Sequence, residues 1–270
     1  PHVVGVTIVA FGTSLPELLV SIISISQGYN DLALGNIVGS NISNIGLVLS
    51  VSTFIFYYVL KTDISPDDDA NNDSYVMLLA VLLLYFFATD RLISQTEGAL
   101  FFSLYIIYIF WLYKRTKGDE VSSDESKTSY IFLIGGLIAL LIGARLTVDS
   151  AVEIALAIGI DEIVIGLSVV AVGTSLPELA GTISAARMGH KEIAVGNVIG
   201  SNIANIFLVM GVLSLIKTIK VEDFVVEKTL PLLIILTIVT FGLIRFTLNR
   251  LSGSLLFAFF LFFIYQLTFI

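Results

Sequence analysis

Gly12-Thr13-Ser14-Leu15-Pro16-Glu17-Leu18 sits inside an apolar stretch, and the same seven residues return at Gly173-Thr174-Ser175-Leu176-Pro177-Glu178-Leu179. A second pattern follows each copy: Gly-Asn-x-x-Gly-Ser-Asn-Ile-x-Asn-Ile runs over 35–45 and again over 196–206. Gly5–Ile45 aligns with Gly166–Ile206 without a gap, and 21 of those 41 positions are identical. Chance likeness between membrane helices would give shared Leu and Ile. The residues shared here include Asn, Glu, Pro and Gly, so the chain is internally duplicated.

The surroundings of the two copies set the solvent. Of 270 residues 56% are hydrophobic and 13% charged, with a mean hydropathy of +0.97; a soluble domain carries about 25% charged residues. Turn residues and charges divide the chain into nine apolar segments, at 2–27, 32–60, 75–90, 97–116, 129–157, 162–187, 193–216, 229–248 and 252–270. Most approach the length of about 20 residues that a helix needs to cross the hydrocarbon layer. The fold class expected is all-α: a polytopic protein embedded in a lipid bilayer. Tyr105, Tyr108, Trp111 and Tyr113 gather towards the end of the fourth segment, as at a headgroup layer. Residues 1–116 read as a first repeat, 117–128 as a linker too short to fold, and 129–270 as a second repeat.

Charge and motifs narrow the function. The net charge of −8 comes largely from Asp67–Asp69 and from 119–125, both read as solvated loop surface. No basic patch suggests nucleic acid, no protein partner is evident, and the chain has no cysteine. A phosphate-binding Gly-x-x-x-x-Gly-Lys-Ser/Thr loop is missing, which leaves ATP-driven pumping unsupported. No His-Glu-x-x-His motif and no serine–histidine arrangement points to an enzyme, and no cofactor is implied. His2 and His190 lie at segment ends and read as incidental.

Five segments separate the start of one copy from the start of the other. An odd number makes the copies enter the membrane from opposite sides, as an inverted repeat. With loops assigned alternately, one side holds nine Lys and Arg and the other four; the excess places the linker in the cytoplasm. Arg145 falls inside a segment, with Asp149 its expected i,i+4 partner.

Glu17 and Glu178 lie mid-segment with no basic residue near them in sequence, and charges at such depth are costly and functional. Pro16 has no N–H to give the Gly12 carbonyl, and Pro177 none for Gly173. Interrupted helices at the midplane are where transporters place ion sites, with released carbonyls as ligands. Thr13, Ser14, Thr174 and Ser175 add hydroxyls. Asn36, Ser40 and Asn44 share one helical face, as do Asn197, Ser201 and Asn205; ion binding and interhelical hydrogen bonding both fit this stripe. Asn41 and Asn202 face elsewhere. Gly35 with Gly39, and Gly196 with Gly200, are small-residue pairs suited to close helix packing. These are hard oxygens, the set preferred by Ca²⁺ and Na⁺ over transition metals. Two carboxylates are balanced by one Ca²⁺, two Na⁺ or two H⁺, so one site can cross loaded with either solute.

The duplicated, inverted pairing of Gly-Thr-Ser-Leu-Pro-Glu with Gly-Ser-Asn-Ile-x-Asn resembles the α-repeats of the Ca²⁺/cation antiporter superfamily, in its sodium/calcium exchanger branch. The resemblance implies ten helices in two inverted halves of five, with alternating access as the first helix of each half slides. It implies Ca²⁺ ligands at Glu17, Glu178 and the carbonyls of Thr13 and Thr174. Na⁺ ligands would add Ala10, Ala171, Ser14, Ser175, Ser40 and Ser201, with Asn44 near the centre. The chain departs from the branch at Asn205, where many exchangers carry an acid. It also lacks the Gly-Asn-Ala-like variant typical of proton-coupled members, which remain the alternative. Ten helices would require one more before Pro1, because the second copy is preceded by 129–157 and the first by nothing equivalent.

Overall fold

The computed structural model describes residues 10–116 and 159–268, together with scattered helical positions between 132 and 157. Residues 1–9, the linker 117–128, most of 129–157 with the Arg145–Asp149 pair, and any helix before Pro1 lie outside the described residues.

Eight helices carry the described fold: α1 Ala10–Ser26, α2 Asn30–Val59, α3 Asp68–Ala88, α4 Gln95–Arg115, α5 Glu162–Arg187, α6 Lys191–Ile216, α7 Val225–Leu243 and α8 Arg250–Leu267. Seven are long and apolar enough to cross a membrane; α1 is apolar and is described only from Ala10 onward. The remaining structure is slight. A two-residue strand, β1 Leu92–Ile93, pairs antiparallel with β2 Ile219–Lys220.

Each motif copy folds as a helical hairpin. In α1 a helical piece described from Ala10 ends at Thr13 and a new helix starts at Leu15, with Ser14 between them at φ −83°, ψ 0°. In α5 the break is at Ser175, at φ −79°, ψ 0°. Pro16 and Pro177 fall in the first turn of the second piece, where a missing N–H costs nothing. Both hairpins turn through a glycine in the left-handed region, Gly28 at φ 94° and Gly189 at φ 79°.

The halves interlock. Helix α2 packs on α5, and α6 packs on α1, on α3 and on α2; α8 lies along α2, and α4 along α6. The α2–α5 contact is glycine-made. A Cβ on Gly35 would stand 2.8 Å from the Leu167 nitrogen, and one on Gly39 would stand 2.6 Å from the Ala171 side chain. The packing role expected of this pair is therefore observed. Helix α2 has 30 residues, about 45 Å of rise. It is widened by π-helical turns at Asn44–Leu49 and Ile55–Val59, and α6 carries the matching turn at Ala204–Met210. Such turns occur often at functional sites.

Loops from opposite halves are clipped together twice. The β1–β2 pair joins the α3–α4 loop to the α6–α7 loop, and Arg91 reinforces it with Asp223 at 2.6 Å and Glu227 at 3.1 Å. A bridge between Ile64 and Leu248 joins the α2–α3 loop to the α7–α8 loop. There Lys191 Nζ donates to Thr62 Oγ1 at 2.7 Å. In element order after each motif, the α6–α7 loop corresponds to the α2–α3 loop and the α7–α8 loop to the α3–α4 loop, so the two clips join corresponding pairs of loops.

Three expectations need correction. Asp67–Asp69 is not loop: Asp67 caps α3 by accepting the Ala70 N–H at 2.7 Å, and Asp68 and Asp69 lie in its first turn, where the helix dipole favours acids. Helix α3 thus starts at Asp68, ahead of the expected 75. Helix α7 begins at Val225 and ends at Leu243, because the chain then turns into the bridge at Leu248. Of the four aromatics on α4, Trp111 and Tyr113 are exposed, but Tyr105 and Tyr108 are buried in the helix packing.

Candidate ion site

The two breaks and the two Asn-Ser stripes meet in the interior. Glu17, Glu178, Ser40, Asn44, Thr174, Ser201, Asn205, Asn36 and Asn197 are all fully buried, with Thr13, Ser14 and Ser175 nearly so. Ala10 and Ala171 are buried beside them. Every residue expected from the sequence therefore lies in the buried interior, although the hydrogen bonds join only some of them directly.

Those bonds cross between halves in matched pairs. Thr13 Oγ1 donates to Asn197 Oδ1 at 3.2 Å, and Thr174 Oγ1 donates to Asn36 Oδ1 at 3.0 Å. Asn36 Nδ2 reaches the Glu17 carbonyl at 3.3 Å, and Asn197 Nδ2 reaches the Glu178 carbonyl at 3.2 Å. Both threonine hydroxyls also approach the alanine carbonyl one turn back, Ala10 at 3.3 Å and Ala171 at 3.2 Å. Ser14 Oγ donates to Glu178 Oε1 at 3.3 Å, so α1 touches the acid of α5. Ser40 Oγ lies 3.4 Å from the Ala171 carbonyl and 3.2 Å from Thr174 Oγ1.

What the carboxylates lack is as informative. Glu17 Oε1 and Oε2 and Glu178 Oε2 are buried without a hydrogen-bond partner. The neighbouring Thr174 hydroxyl has a single hydrogen, and Asn36 Oδ1 and the Ala171 carbonyl both contest it. Among the described residues neither acid pairs with a Lys or Arg. Both polar atoms of Asn44 and of Asn205 are also buried and unpartnered, as is Ser175 Oγ. Ionised carboxylates held out of water with no counter-charge are strongly unfavourable, so the arrangement demands a cation or protons. Among the described residues no cluster of three or more His, Cys, Asp or Glu is placed to hold a metal. Neutral oxygens therefore make up the remainder of the site. The helical pieces that end at Thr13 and at Thr174 direct carbonyl dipoles at the break, which favours positive charge there.

Asn41 and Asn202 point away as expected: Asn41 Nδ2 bonds the Ile37 carbonyl of its own helix, and Asn202 Nδ2 approaches Met77 Sδ. Two residues were missed by sequence reasoning. Ser21 Oγ accepts from Asn36 Nδ2 at 2.9 Å, and Thr182 Oγ1 accepts from Asn197 Nδ2 at 3.0 Å. Each stands one helical turn after its glutamate, and a hydroxyl at both matching positions was the available signal.

The family model described as sodium/calcium exchanger protein matches residues 1–114 and 128–269. The chain is 34% identical to the putative antiporter CaxA of Alkalimonas amylolytica, over 95% of this chain and 84% of that one. It is 34% identical to the sodium/calcium exchanger MaX1 of Methanosarcina acetivorans, over 99% and 89%. A solved structure of the sodium-calcium exchanger NCX_Mj, soaked with Na⁺ and Ca²⁺, superposes with a TM-score of 0.81 at 35% identity, covering 97% of this chain and 85% of that one. With its helices, its duplicated motif and these likenesses together, the chain is an integral membrane protein of the sodium/calcium exchanger family.

Proposed function

We propose that this protein is a secondary antiporter that exchanges Ca²⁺ for Na⁺ by alternating access through the site between α1, α2, α5 and α6. The observation that carries the proposal is the pair of fully buried glutamates, one on each broken helix, with unpartnered carboxylate oxygens and no cationic side chain beside them among the described residues. A divalent ion balances both charges at once, and Na⁺ ions balance them separately. Neither state leaves an uncompensated buried charge, whereas the empty site does; the loaded forms are therefore the ones able to cross.

In this reading Glu17, Glu178 and the carbonyls of Thr13 and Thr174 hold Ca²⁺. The Ala10 and Ala171 carbonyls with Ser14, Ser175, Ser40 and Ser201 complete the sites for Na⁺, and Asn44 and Asn205 supply neutral amide oxygens near the centre. The family's relatives named as sodium/calcium exchangers support these ions over protons. We place the protein in the plasma membrane with residues 117–128 on the cytoplasmic side, following the excess of Lys and Arg on that side. Residues 1–116 and 129–270 form the two inverted halves.

The test is ⁴⁵Ca²⁺ uptake into proteoliposomes loaded with Na⁺, with K⁺-loaded and pH-stepped vesicles alongside. Uptake driven by the Na⁺ gradient is expected, with none from a pH step alone. Uptake that follows only the pH step would replace Na⁺ by H⁺ as the coupling ion.

A further inference from the structure

Ser21 and Thr182 take no part in the ligand set above, yet each holds an asparagine that does touch it. The Asn36 amide spends one N–H on the Glu17 carbonyl at 3.3 Å and the other on Ser21 Oγ at 2.9 Å. Its Oδ1 then faces the opposite way and accepts from Thr174 Oγ1 at 3.0 Å and from Ser40 Oγ at 3.4 Å. The second copy repeats this. Asn197 gives its N–H groups to the Glu178 carbonyl at 3.2 Å and to Thr182 Oγ1 at 3.0 Å, and its Oδ1 accepts from Thr13 Oγ1 at 3.2 Å. All these side chains are fully or almost fully buried, so water cannot substitute for a lost partner.

We infer that Ser21 and Thr182 are positioning residues that order the hydrogens of the ion site through Asn36 and Asn197. An amide can be turned end for end, and only its partners decide which end faces which way. A backbone carbonyl accepts and cannot donate, so the Glu17 carbonyl and Ser21 together fix the N–H end towards α1. The oxygen end is then fixed towards Thr174 and Ser40. A hydroxyl has one hydrogen; once that hydrogen is drawn onto Asn36 Oδ1, the lone pairs of Thr174 and Ser40 are left for a cation. Without Ser21, one buried N–H has no acceptor and only the Glu17 carbonyl still resists turning of the amide; in the turned fraction, N–H groups face the hydroxyls and their hydrogens point into the site. A site lined by hydrogens repels Na⁺. The effect reaches the ions without either positioning residue touching them.

The inference rests on the exchange reading, and the experiment separates the two. Na⁺-driven ⁴⁵Ca²⁺ uptake is measured against Na⁺ and Ca²⁺ concentration for wild type, Ser21→Ala, Ser21→Thr, Thr182→Val and Thr182→Ser, each normalised to folded transporter by size exclusion. Loss of one buried acceptor should raise half-saturating Na⁺ about fivefold in Ser21→Ala and Thr182→Val. Ser21→Thr and Thr182→Ser, which swap the residues the two halves already use, should stay within about twofold of wild type. If wild type exchanges but Ser21→Ala and Thr182→Val keep its half-saturating Na⁺, the inference is overturned and the exchange reading stands. A fall in their maximal rate alone overturns the inference equally, since a merely structural role predicts that. Wild type without Na⁺-driven uptake overturns the exchange reading itself.

Discussion

Two acids in this molecule are equally buried and differently treated. Asp73 on α3 is fully buried and meets Arg115 from the end of α4, with Oδ2 3.1 Å from the guanidinium; Asp69 joins the same arginine at 3.3 Å. Glu17 is just as buried and meets no cation among the described residues. Helix α7 holds the place of α3 in the second half, and its acid, Glu227, is exposed and pairs with Arg91, so α7 has no buried acid corresponding to Asp73. The acid without a partner stands in both copies of the motif, and the buried acid with a partner stands in one half. A buried charge with a fixed partner serves the fold and can be exchanged for an apolar residue; one without, in the exchange we propose, is held for an ion that comes and goes.

The sharpest way to break this contrast is to neutralise the unpartnered acids. Glu17→Gln or Glu178→Gln should reduce Ca²⁺ uptake to background, because a single carboxylate cannot balance a dehydrated divalent ion. Folding should survive, since a neutral amide is easier to bury than an unpaired charge. The Ca²⁺-induced rise in melting temperature expected of wild type should disappear in both variants. Near-normal uptake in either would place the ion elsewhere.

A second, smaller effect tests whether the isolation of Glu17 depends on the close α2–α5 contact. Gly35→Ala would set a Cβ 2.8 Å from the Leu167 nitrogen and 2.9 Å from the Gly166 carbonyl carbon. These are backbone atoms, so α5 itself has to move. We expect a loss of about 1–3 kcal/mol in stability and about a tenfold fall in transport rate. Gly242→Ala, where a Cβ meets nothing within 4 Å, is the silent control.

Asp73→Asn should show the reverse of the glutamate result. It weakens the salt bridge of a largely buried arginine, for a loss of about 1–3 kcal/mol, reduced because Asp69 remains. Uptake per folded transporter should be unchanged. A change in ion affinity would show that the α3–α4 pair is coupled to transport, and the contrast between the two acids would fail.

The candidate ion site was legible in the sequence because its residues are expensive. Glu, Asn and Pro inside apolar helices stand out against Leu and Ile, and their return in the same order at 173–179 and 196–206 removes chance. What the sequence did not carry is whatever depends on distant partners. Strands of two residues have no pattern of their own, so β1 and β2 exist only because the folded core brings their loops together. The π turns in α2 and α6 carry no mark in the sequence that sets them apart from ordinary helix. Asp67–Asp69 read as loop because an acidic run is polar wherever it occurs; as a helix cap it needed the apolar face of α3 to be recognised behind it. Ser21 and Thr182 escaped because hydroxyls are common in membrane helices, and only the geometry shows which amide they hold.

The last prediction concerns Asn205, and its expected effect is the smallest. Asn44 and Asn205 match each other across the repeat, and both amides are fully buried with neither polar atom bonded. An amide offers a carbonyl oxygen and is neutral at every pH, so the loaded site holds two carboxylates and no third. Exchange should then require no K⁺, since an additional monovalent ion would need an additional negative charge. Asn205→Asp places a carboxyl beside the two glutamates. While it keeps its proton it resembles the amide in shape and charge, and uptake should match wild type within about threefold. As pH rises and the proton leaves, the site gains a charge that Ca²⁺ alone does not balance. The ratio of variant to wild-type uptake should therefore change with pH, while Asn205 itself contributes no such dependence in the wild type. Na⁺-dependent ⁴⁵Ca²⁺ uptake across neutral and mildly alkaline pH, with and without K⁺, reads both consequences. A K⁺ requirement in wild type, or a pH-independent ratio with full activity, would mean that residue 205 does not set the charge of the loaded site.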